Sequence, residues 1–394
     1  MHKIAKTALL MLSIGFGTFN MAAAPAAVEK ANNILTAVKK AEAPDARQVV
    51  FDIKAWTNAK GQLVVGGNTS EQAVRNAVVT ELNKAGIKFA DSINVYPTDR
   101  WAQVRIPAAS LRTGGRHAAE MATQAILGTP LRVLDSTGEW WYVQTPDGYI
   151  AYVPSTSVVA KTPAEMEQWR SARRFIVTSP YQIRVYNTPT TTGVREVVTD
   201  LVNGCIVTAV DGNTTATEGR YFVELPDGRR GYVDADAVAP IEEWAAQNFN
   251  PDQILDIAYS MEGTPYLWGG MSTKALDCSG LAKTGYLANG IILRRDASQQ
   301  ALTGGRIEAA DWRDCRAGDL LFFGNANTGK VTHVAIYDAD GNYVHSSGRV
   351  KRNSVDPESP AYLTTPFLHA VRIHGYEGTD GITYAREHPW YFSK

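Results

Sequence analysis

The chain of 394 residues has only three cysteines and almost no net charge. Lysine and arginine together number 39 and aspartate and glutamate 40, so the formal charge is −1 with histidine neutral. Because no long basic run breaks this balance, nucleic acid and anionic membrane surfaces are not indicated as partners. The composition, 44% hydrophobic and 20% charged, is typical of a folded globular protein and excludes wholesale disorder, collagen-like repeats and coiled coils.

Cysteine and histidine are too few and too scattered for a metal site. The seven histidines and three cysteines show no Cys-x-x-Cys or His-Glu-x-x-His spacing, so we predict no metal and no other cofactor. Cys205, Cys278 and Cys315 cannot all pair within one chain, and a leftover thiol in an exported protein suggests a functional role. The sequence does not decide whether Cys205 and Cys315 form a disulfide.

The first 26 residues have the order of a secretory signal peptide. Lys3 and Lys6 precede the apolar run 8–19, and small residues that include Ala24 and Ala26 follow it. This run is too short to cross a bilayer, which needs about 20 apolar residues, and no later segment resembles a transmembrane helix. We therefore predict export to a periplasm or the medium, with cleavage after Ala24 or Ala26 and without a stable membrane anchor.

The middle of the chain contains an internal repeat. Residues 142–153 match residues 222–233, and each copy predicts two short strands around a Pro-Asp-Gly turn, in which proline sets φ and glycine permits a positive φ. A helix start follows each copy: Thr162 and Glu165 form a capping box in the first, and residues 240–244 are a weaker echo. Two related β-modules are the simplest interpretation.

The flanking regions differ from the repeat. Residues 47–95 predict two strands and then a helix begun by Thr69 with Gln72 as its capping-box partner, and residues 27–46 predict a helix or linker. After residue 246, two helices precede the strands 319–323, 332–337, 343–346 and 369–373, an α+β order. The predicted domains are a signal peptide (1–26), an N-terminal lead-in (27–90), a first β-module (91–160), a linker helix with a second β-module (161–245) and an α+β domain (246–394).

Three residues of the last domain form a candidate catalytic triad. Cys278 begins a helix, where unpaired backbone N–H groups and the helix dipole favour a thiolate. His333 lies in an alternating strand whose other face, with Val334 and Ile336, is apolar enough to be core. We therefore expect the imidazole on the opposite face, where the Cys278 helix would pack. His345 lies in the next strand.

The loop between these two strands decides whether the histidines meet. A three-residue loop, 339–341, with Gly341 in the left-handed conformation would pair Ala335 with His345 and place both imidazoles on one face as diagonal neighbours. A two-residue loop would put them on opposite faces. With the longer loop, the order Cys, His, His supplies a nucleophile, a base and a residue that orients the base.

These residues resemble the NlpC-type cysteine peptidases, papain-like enzymes of bacterial cell-wall turnover. The resemblance covers about residues 248–375 and rests on four motifs in the family's order: Tyr266-x-Trp268-Gly269-Gly270, Asp277-Cys278-Ser279-Gly280, Arg316-x-Gly318-Asp319-Leu320-x-Phe322-Phe323 and Thr332-His333-Val334-Ala335-Ile336-Tyr337. It implies that Cys278 is the nucleophile, His333 the general base and His345 the orienting residue. It also implies that the Tyr266 hydroxyl and the Cys278 backbone N–H stabilise the oxyanion.

The repeated modules resemble bacterial SH3-like barrels. The fold class is therefore predicted to be multidomain, with two small SH3-like β-barrels before an α+β papain-like catalytic domain. With residues 112–130 and 295–300, the chain from about 95 to 394 resembles the γ-D-glutamyl-L-diamino acid endopeptidases. That resemblance implies cleavage of the γ-D-Glu to diamino acid bond in murein peptides with a free N-terminal L-Ala.

The same resemblance assigns binding residues by position. Asp277, Ser279 and Asp296 would line the D-Glu side of the site, Trp268 would contact the substrate, and Glu120 and Tyr149 of the first module would hold the substrate amine. The second repeat has Arg229 in place of Tyr149, as if only the first copy kept a site.

Two alternatives stay open. The same catalytic residues could act on intact cross-linked wall, with the SH3-like modules as anchors, or the catalytic domain could be an inactive relic in a wall-binding protein. The presence of all three triad residues argues against the relic. We expect a monomer whose partners are peptidoglycan-derived peptides, and the sequence does not decide between diaminopimelate and lysine.

Overall fold

The computed structural model describes residues 23–393, so most of the predicted signal peptide lies outside the described residues. The chain forms two compact units, one ending at Tyr96 and one beginning at Pro97. Within residues 23–393, no helix combines the length and the apolar character that crossing a membrane requires.

The N-terminal unit is a three-stranded sheet with two helices. Its elements are α1 (Ala23–Glu42), β1 (Phe51–Thr57), β2 (Leu63–Thr69), α2 (Gln72–Lys84) and β3 (Ala90–Val95). β1 runs antiparallel to β2, and β2 runs parallel to β3 because α2 forms the crossover between them. Leu35 and Val38 of α1 and Val78 and Leu82 of α2 close the core.

The start of α2 differs from the prediction. The N-cap is Glu71, which makes no side-chain capping bond, and the Thr69 hydroxyl instead accepts a hydrogen bond from the Glu71 N–H at 3.3 Å. Thr69 is still part of β2, paired with Phe51, so its backbone cannot also enter a helix. The predicted capping box at Thr69 is therefore wrong.

The second unit begins with two modules of seven strands each. The first module comprises β4 (Trp101–Val104), β5 (Ala108–Arg112), β6 (Met121–Ile126), β7 (Pro130–Asp135), β8 (Trp140–Gln144), β9 (Ile150–Pro154) and β10 (Val158–Lys161). The second module comprises β11 (Arg174–Val177), β12 (Ile183–Tyr186), β13 (Val197–Leu201), β14 (Ile206–Ala209), β15 (Arg220–Glu224), β16 (Arg230–Asp234) and β17 (Val238–Pro240). Helix α3 (Pro163–Ser171) connects them and begins with the predicted Thr162 capping box.

The two modules share one topology, which confirms the repeat. The strand order is β10-β4-β7-β8-β9-β5-β6 in the first and, read from the other edge, β17-β11-β14-β15-β16-β12-β13 in the second. The hairpins also keep their register, since Gln144 pairs with Ile150 and Glu224 pairs with Arg230.

The remaining elements begin with a short helix that packs against β11 and β17 of the second module and continue into the C-terminal domain, which packs helices against an antiparallel sheet. They are α4 (Ile241–Ala245), α5 (Pro251–Ser260), β18 (Met271–Ser272), β19 (Ala275–Leu276), α6 (Cys278–Ala288), β20 (Ile291–Leu293), α7 (Ala297–Gln300), β21 (Gly305–Glu308), β22 (Leu320–Asn325), β23 (Lys330–Tyr337), β24 (Asn342–Ser347), β25 (Arg349–Ser354), β26 (Phe367–Arg372) and β27 (Ile382–Tyr384). The six-stranded sheet has the order β21-β26-β22-β23-β24-β25. The predicted α+β order is confirmed, and four strands of this sheet were predicted, whereas its two other strands, β21 and β25, were not.

Helix α6 packs on the face of the sheet opposite to the predicted one. Val334 and Ile336 share a core with Cys278, and the Ile336 side chain lies 3.6 Å from the position of a Cβ added at Gly285 of α6. Ala335, on the His333 face, packs in a separate core without α6. The expectation that α6 packs on the face of His333 is wrong. Apolar side chains lie on both faces of β23, so the alternation of its residues does not show which face the helix covers.

The three thiols are free and buried. Cys205 lies in the core of the second module, whereas Cys315 lies in the core on the histidine face of the catalytic sheet. A Cys205–Cys315 disulfide is therefore absent from the described structure.

Candidate active site

Cys278 is the first residue of α6 and is 8% exposed. Asp277 caps the helix by accepting a hydrogen bond from the Gly280 N–H at 2.7 Å. Cys278 shares a core with Val334, so the thiol lies against β23 beside the residue that follows His333. Burial and the Asp277 carboxylate raise the pKa of the thiol to about 11. These two effects outweigh the stabilisation of a thiolate that the helix N-terminus was predicted to give. Cys278 is therefore a thiol in the free enzyme and needs a base before it can attack a carbonyl carbon.

The hairpin between β23 and β24 has the predicted three-residue loop. The Asp338 N–H donates to the Asn342 carbonyl at 2.9 Å, and Gly341 has a φ of +80°. Both histidines consequently lie on one face, and His333 Nε2 is 2.7 Å from His345 Nδ1. The predicted register is confirmed.

Asn353 of β25 extends this chain of side chains, and the sequence analysis missed it. Its Oδ1 lies 3.0 Å from His345 Nε2, and its Nδ2 donates to the Ala361 carbonyl at 3.0 Å. Because an amide oxygen only accepts, the network assigns the His345 proton to Nε2 and leaves Nδ1 to accept from His333 Nε2. A neutral His333 then keeps its lone pair on Nδ1, which is the nitrogen left free to act as a base.

Burial keeps both imidazoles uncharged at neutral pH. It lowers the pKa of His333 to about 3, with further lowering from His345 and the Lys351 ammonium, and it lowers the pKa of His345 to about 4. A neutral imidazole can accept the proton of a thiol, which is the requirement for a general base.

Tyr266 lies near Cys278 with its hydroxyl protonated. Its backbone bridges to Leu276, and its N–H donates to the Gly348 carbonyl at 3.0 Å. Burial, together with the neighbouring Cys278 and Asp277, raises the pKa of the hydroxyl, so it stays a hydrogen-bond donor. The Cys278 N–H is a second donor of the right kind, since it belongs to the first turn of a helix. Trp268 is 59% exposed and open to a ligand.

One buried arginine binds both neighbours of Cys278. Arg295 donates from Nη2 to Asp277 Oδ2 at 2.7 Å and from Nη1 to Ser279 Oγ at 2.8 Å, and its Nε donates to Thr123 Oγ1 of the first module at 2.8 Å. Asp277 is 6% exposed and also accepts from the Gly269 N–H at 2.8 Å. Asp277 and Ser279 thus hold the turn around Cys278. Arg295 entered the sequence analysis only as part of a motif, because no pattern marks an arginine that becomes buried.

The other predicted binding residues come from two domains. Tyr149 of the first module donates its hydroxyl to Asp296 Oδ2 of the catalytic domain at 3.4 Å, and Asp296 is the N-cap of α7. Glu120 is exposed and directly precedes β6. The residue after Glu120 is Met121, and its backbone carbonyl lies against Gly269. A Cβ added at Gly269 would be only 2.7 Å from this carbonyl oxygen. The residue after Glu120 therefore contacts the catalytic-domain loop at Gly269, which a hydrogen bond joins to Asp277.

Known proteins match both kinds of domain. Residues 263–372 match the NlpC/P60 family, and residues 111–158 match the bacterial dipeptidyl-peptidase Sh3 domain. Dipeptidyl-peptidase 6 of Lysinibacillus sphaericus is 30% identical over 250 residues, which cover 62% of this chain and 88% of that protein. Gamma-D-glutamyl-L-lysine dipeptidyl-peptidase of Bacillus cereus is 27% identical over 281 residues, which cover 68% of this chain and 80% of that protein.

The fold also matches a solved structure. A crystal structure of an NlpC/P60 family protein from Bacillus cereus superposes with a TM-score of 0.58 at 22% identity and covers 69% of this chain and 99% of that chain. Together with the family matches, this likeness confirms the predicted fold class of SH3-like modules before an NlpC-type catalytic domain. The protein is a cysteine peptidase and belongs to the NlpC/P60 family.

Proposed function

We propose that this peptidase hydrolyses the bond between γ-D-glutamate and the diamino acid in murein peptides that begin with a free L-Ala. The observation that carries the proposal is that the first module brings Tyr149 to Asp296 at 3.4 Å and Met121, the residue after Glu120, to the catalytic-domain loop at Gly269. The two relatives described above are named as dipeptidyl-peptidases, one of them for gamma-D-glutamyl-L-lysine. A dipeptidyl-peptidase releases two residues from the N-terminus of its substrate, so its binding pocket must close just beyond the N-terminal amine.

The charges at this end of the site suit an ammonium group. Glu120 is an exposed carboxylate, and the Tyr149 hydroxyl and the Asp296 carboxylate add two polar groups. A charge-assisted hydrogen bond between an ammonium and a carboxylate contributes about 1.5–3 kcal/mol. A blocked amine would lose this contribution and would also bring extra bulk.

The proposed reaction begins with a proton transfer. His333 Nδ1 accepts the thiol proton of Cys278 while the sulfur attacks the γ-carbonyl carbon of the D-glutamate, and the carbonyl oxygen becomes an oxyanion. The Tyr266 hydroxyl and the Cys278 N–H stabilise that oxyanion. His333 then donates the proton to the amine of the leaving diamino acid, the C–N bond breaks, and a thioester remains on the sulfur.

Hydrolysis of the thioester completes the cycle. His333 accepts a proton from water as the water oxygen attacks the thioester carbon, the C–S bond breaks, and the proton returns to the sulfur. His345 and Asn353 hold His333 in the tautomer that both steps need.

Product analysis tests the substrate. Purified enzyme is incubated with L-Ala-γ-D-Glu-diaminopimelate, with the corresponding lysine tripeptide and with intact sacculi, and the products are identified by mass spectrometry. We expect L-Ala-γ-D-Glu and the free diamino acid from a tripeptide and little release from sacculi, with no turnover in Cys278→Ala. Faster release from sacculi than from both tripeptides would favour the hydrolase of intact wall.

A second measurement tests the amine-binding end. Acetylation of the L-Ala amine should lower kcat/KM by about 10- to 150-fold, the equivalent of about 1.5–3 kcal/mol at about 1.4 kcal/mol per decade. Glu120→Gln should weaken cleavage of the free peptide and barely change cleavage of the acetylated peptide. Glu218→Gln, an exposed carboxylate of the second module, is the matched control. Equal rates on both peptides in the wild type would contradict the amine pocket.

We also propose that the protein is exported and acts as a monomer on peptidoglycan-derived peptides. The support for export is the order of charged, apolar and small residues in 1–26. Mass spectrometry of the protein recovered from periplasm or medium should show an N-terminus at Pro25 or Ala27. An unprocessed chain confined to the cytosol would contradict export, and a dimer in light scattering would contradict the monomer.

A further inference from the structure

The Pro-Asp-Gly turn of the first module, residues 146–148, is bound by the catalytic domain. His388 Nε2 lies 2.9 Å from the Pro146 carbonyl oxygen, and Arg294 Nη1 donates to the Asp147 carbonyl at 3.3 Å. The Lys283 ammonium binds the Asp147 carboxylate at 2.6 Å. Three separate parts of the catalytic domain thus contact one tight turn.

The matching turn of the second module, residues 226–228, is bound by the first module in the same manner. Lys161 Nζ donates to the Pro226 carbonyl at 2.9 Å, and Arg105 Nε binds the Asp227 carboxylate at 2.9 Å. The repeated turn therefore docks twice in series: the second module on the first, and the first module on the catalytic domain. In both copies the proline carbonyl and the aspartate carboxylate make the contact.

The two docking sites differ in burial. Both side chains of the Asp147–Lys283 pair are 7% exposed, whereas the Arg105 side chain in the Asp227 pair is 41% exposed. Lys283 lies on α6, the helix that begins with Cys278, and also donates to the Leu293 carbonyl. A buried ion pair that loses one partner leaves an uncompensated charge, while an exposed pair is screened by water.

The turn of the first module also fixes Tyr149. The Thr145 N–H and hydroxyl donate to the Tyr149 carbonyl at 2.9 and 3.1 Å, which closes the turn around Asp147. A movement of Asp147 relative to α6 would therefore move Tyr149 relative to Asp296. The second module has Arg229 at the corresponding position, and this side chain binds Asp227 and the Arg105 carbonyl.

We propose that Asp147 and Lys283 are positioning residues that fix the first module to the nucleophile helix and thereby set the place of Tyr149 at the amine-binding end of the site. Asp227, in the same place of the second repeat, only docks its module. The inference rests on the proposed function, because the substrate amine is the group that Tyr149 and Asp296 would contact.

The test measures amine preference, the ratio of kcat/KM for the free tripeptide to that for the acetylated tripeptide. The main variant is the double substitution Asp147→Asn with Lys283→Met, which removes both buried charges and leaves neither unpaired. We expect its amine preference to fall about tenfold, the size of one charge-assisted contact, mainly through a higher KM for the free peptide. Asp227→Asn, the matched change in the second repeat, should keep the wild-type preference.

Thermal melting separates positioning from folding. Each single substitution leaves one buried group without its charged partner, so the double variant should melt no lower than the less stable single variant. If the double variant does not fold, Asp147→Glu replaces it, since it keeps the charge but lengthens the side chain and should also lower the preference. A folded variant of either kind with unchanged preference overturns the inference and leaves the proposed function intact. A wild type without any amine preference overturns both.

Discussion

Replacing Asn353 by alanine should slow the peptidase because it releases the far end of the histidine chain. Asn353 Oδ1 accepts the His345 Nε2 proton at 3.0 Å, and His345 is 1% exposed, so water cannot freely replace the amide. A buried donor without an acceptor costs about 1–3 kcal/mol. At about 1.4 kcal/mol per decade, this corresponds to a loss of about 5- to 150-fold in kcat/KM.

A change of tautomer would increase the loss further. Without the amide oxygen, the His345 proton can move from Nε2 to Nδ1, and Nδ1 then no longer accepts from His333 Nε2. A base held in the wrong tautomer has cost about 10⁴-fold in a related triad geometry. A loss within the smaller range therefore indicates the missing bond alone, and a greater loss indicates tautomer exchange.

The assay is kcat/KM on the free tripeptide at neutral pH for wild type, Asn353→Ala and Asn342→Ala. Asn342 carries an exposed amide on the neighbouring strand β24 and should behave as wild type. Melting curves verify that each variant is folded. Wild-type kcat/KM in a folded Asn353→Ala variant would refute the assignment of tautomers from this network.

The thiols and the imidazoles lead to four further predictions. Iodoacetamide should label Cys278 first, because burial raises the pKa of Cys205 and of Cys315 to about 12, above the value of about 11 for Cys278; peptide mapping that finds either of the others first would contradict this. His333→Ala should lose more kcat/KM than His345→Ala, since a base contributes more than its orienting partner, and the reverse order would exchange their roles. Because the pKa values of both histidines lie below 6.5 in the folded chain, the acid limb of kcat/KM should lie well below pH 6.5, and an inflection near 6.5 would contradict buried neutral imidazoles. As the pH falls, these histidines bind protons in the unfolded chain before they do so in the folded chain. The free energy of unfolding should therefore decrease below about pH 6.5, and urea unfolding at several pH values measures this decrease.

Local chemistry was enough to predict the hairpin that joins the two histidines. The loop length and the left-handed Gly341 set the register within a few residues, so no distant contact was needed. The next strand, β25, was not predicted because residues 349–354 are mostly charged and polar, without an apolar alternation. That omission also hid Asn353, which reaches His345 only through this strand pairing.

The predictions for the position of α6 and for the pKa of Cys278 failed because they depend on which groups the whole domain buries. The strand of His333 is buried on both faces, so the side that α6 covers depends on the whole domain rather than on the strand's own pattern. The pKa of Cys278 shows the same dependence. A helix N-terminus favours a negative charge by about 0.3–1 kcal/mol, whereas desolvation of a buried group can shift its pKa by several units. The predicted roles of Glu120, Tyr149 and Asp296 stay predictions for the substrate assays.

In the proposed function, one residue type separates the amine-binding copy of the repeat from the copy that only docks. At the position after the shared glycine, Tyr149 has a single hydroxyl, which it donates to Asp296 across the domain boundary. Arg229 at that position carries a charge and several donors, and its contacts with Asp227 and the Arg105 carbonyl occupy it in docking. An arginine in place of Tyr149 would bring its own cation to the Asp296 carboxylate and compete with a substrate ammonium. The amine-binding role that we propose is therefore compatible with the first copy of the turn and not with the second.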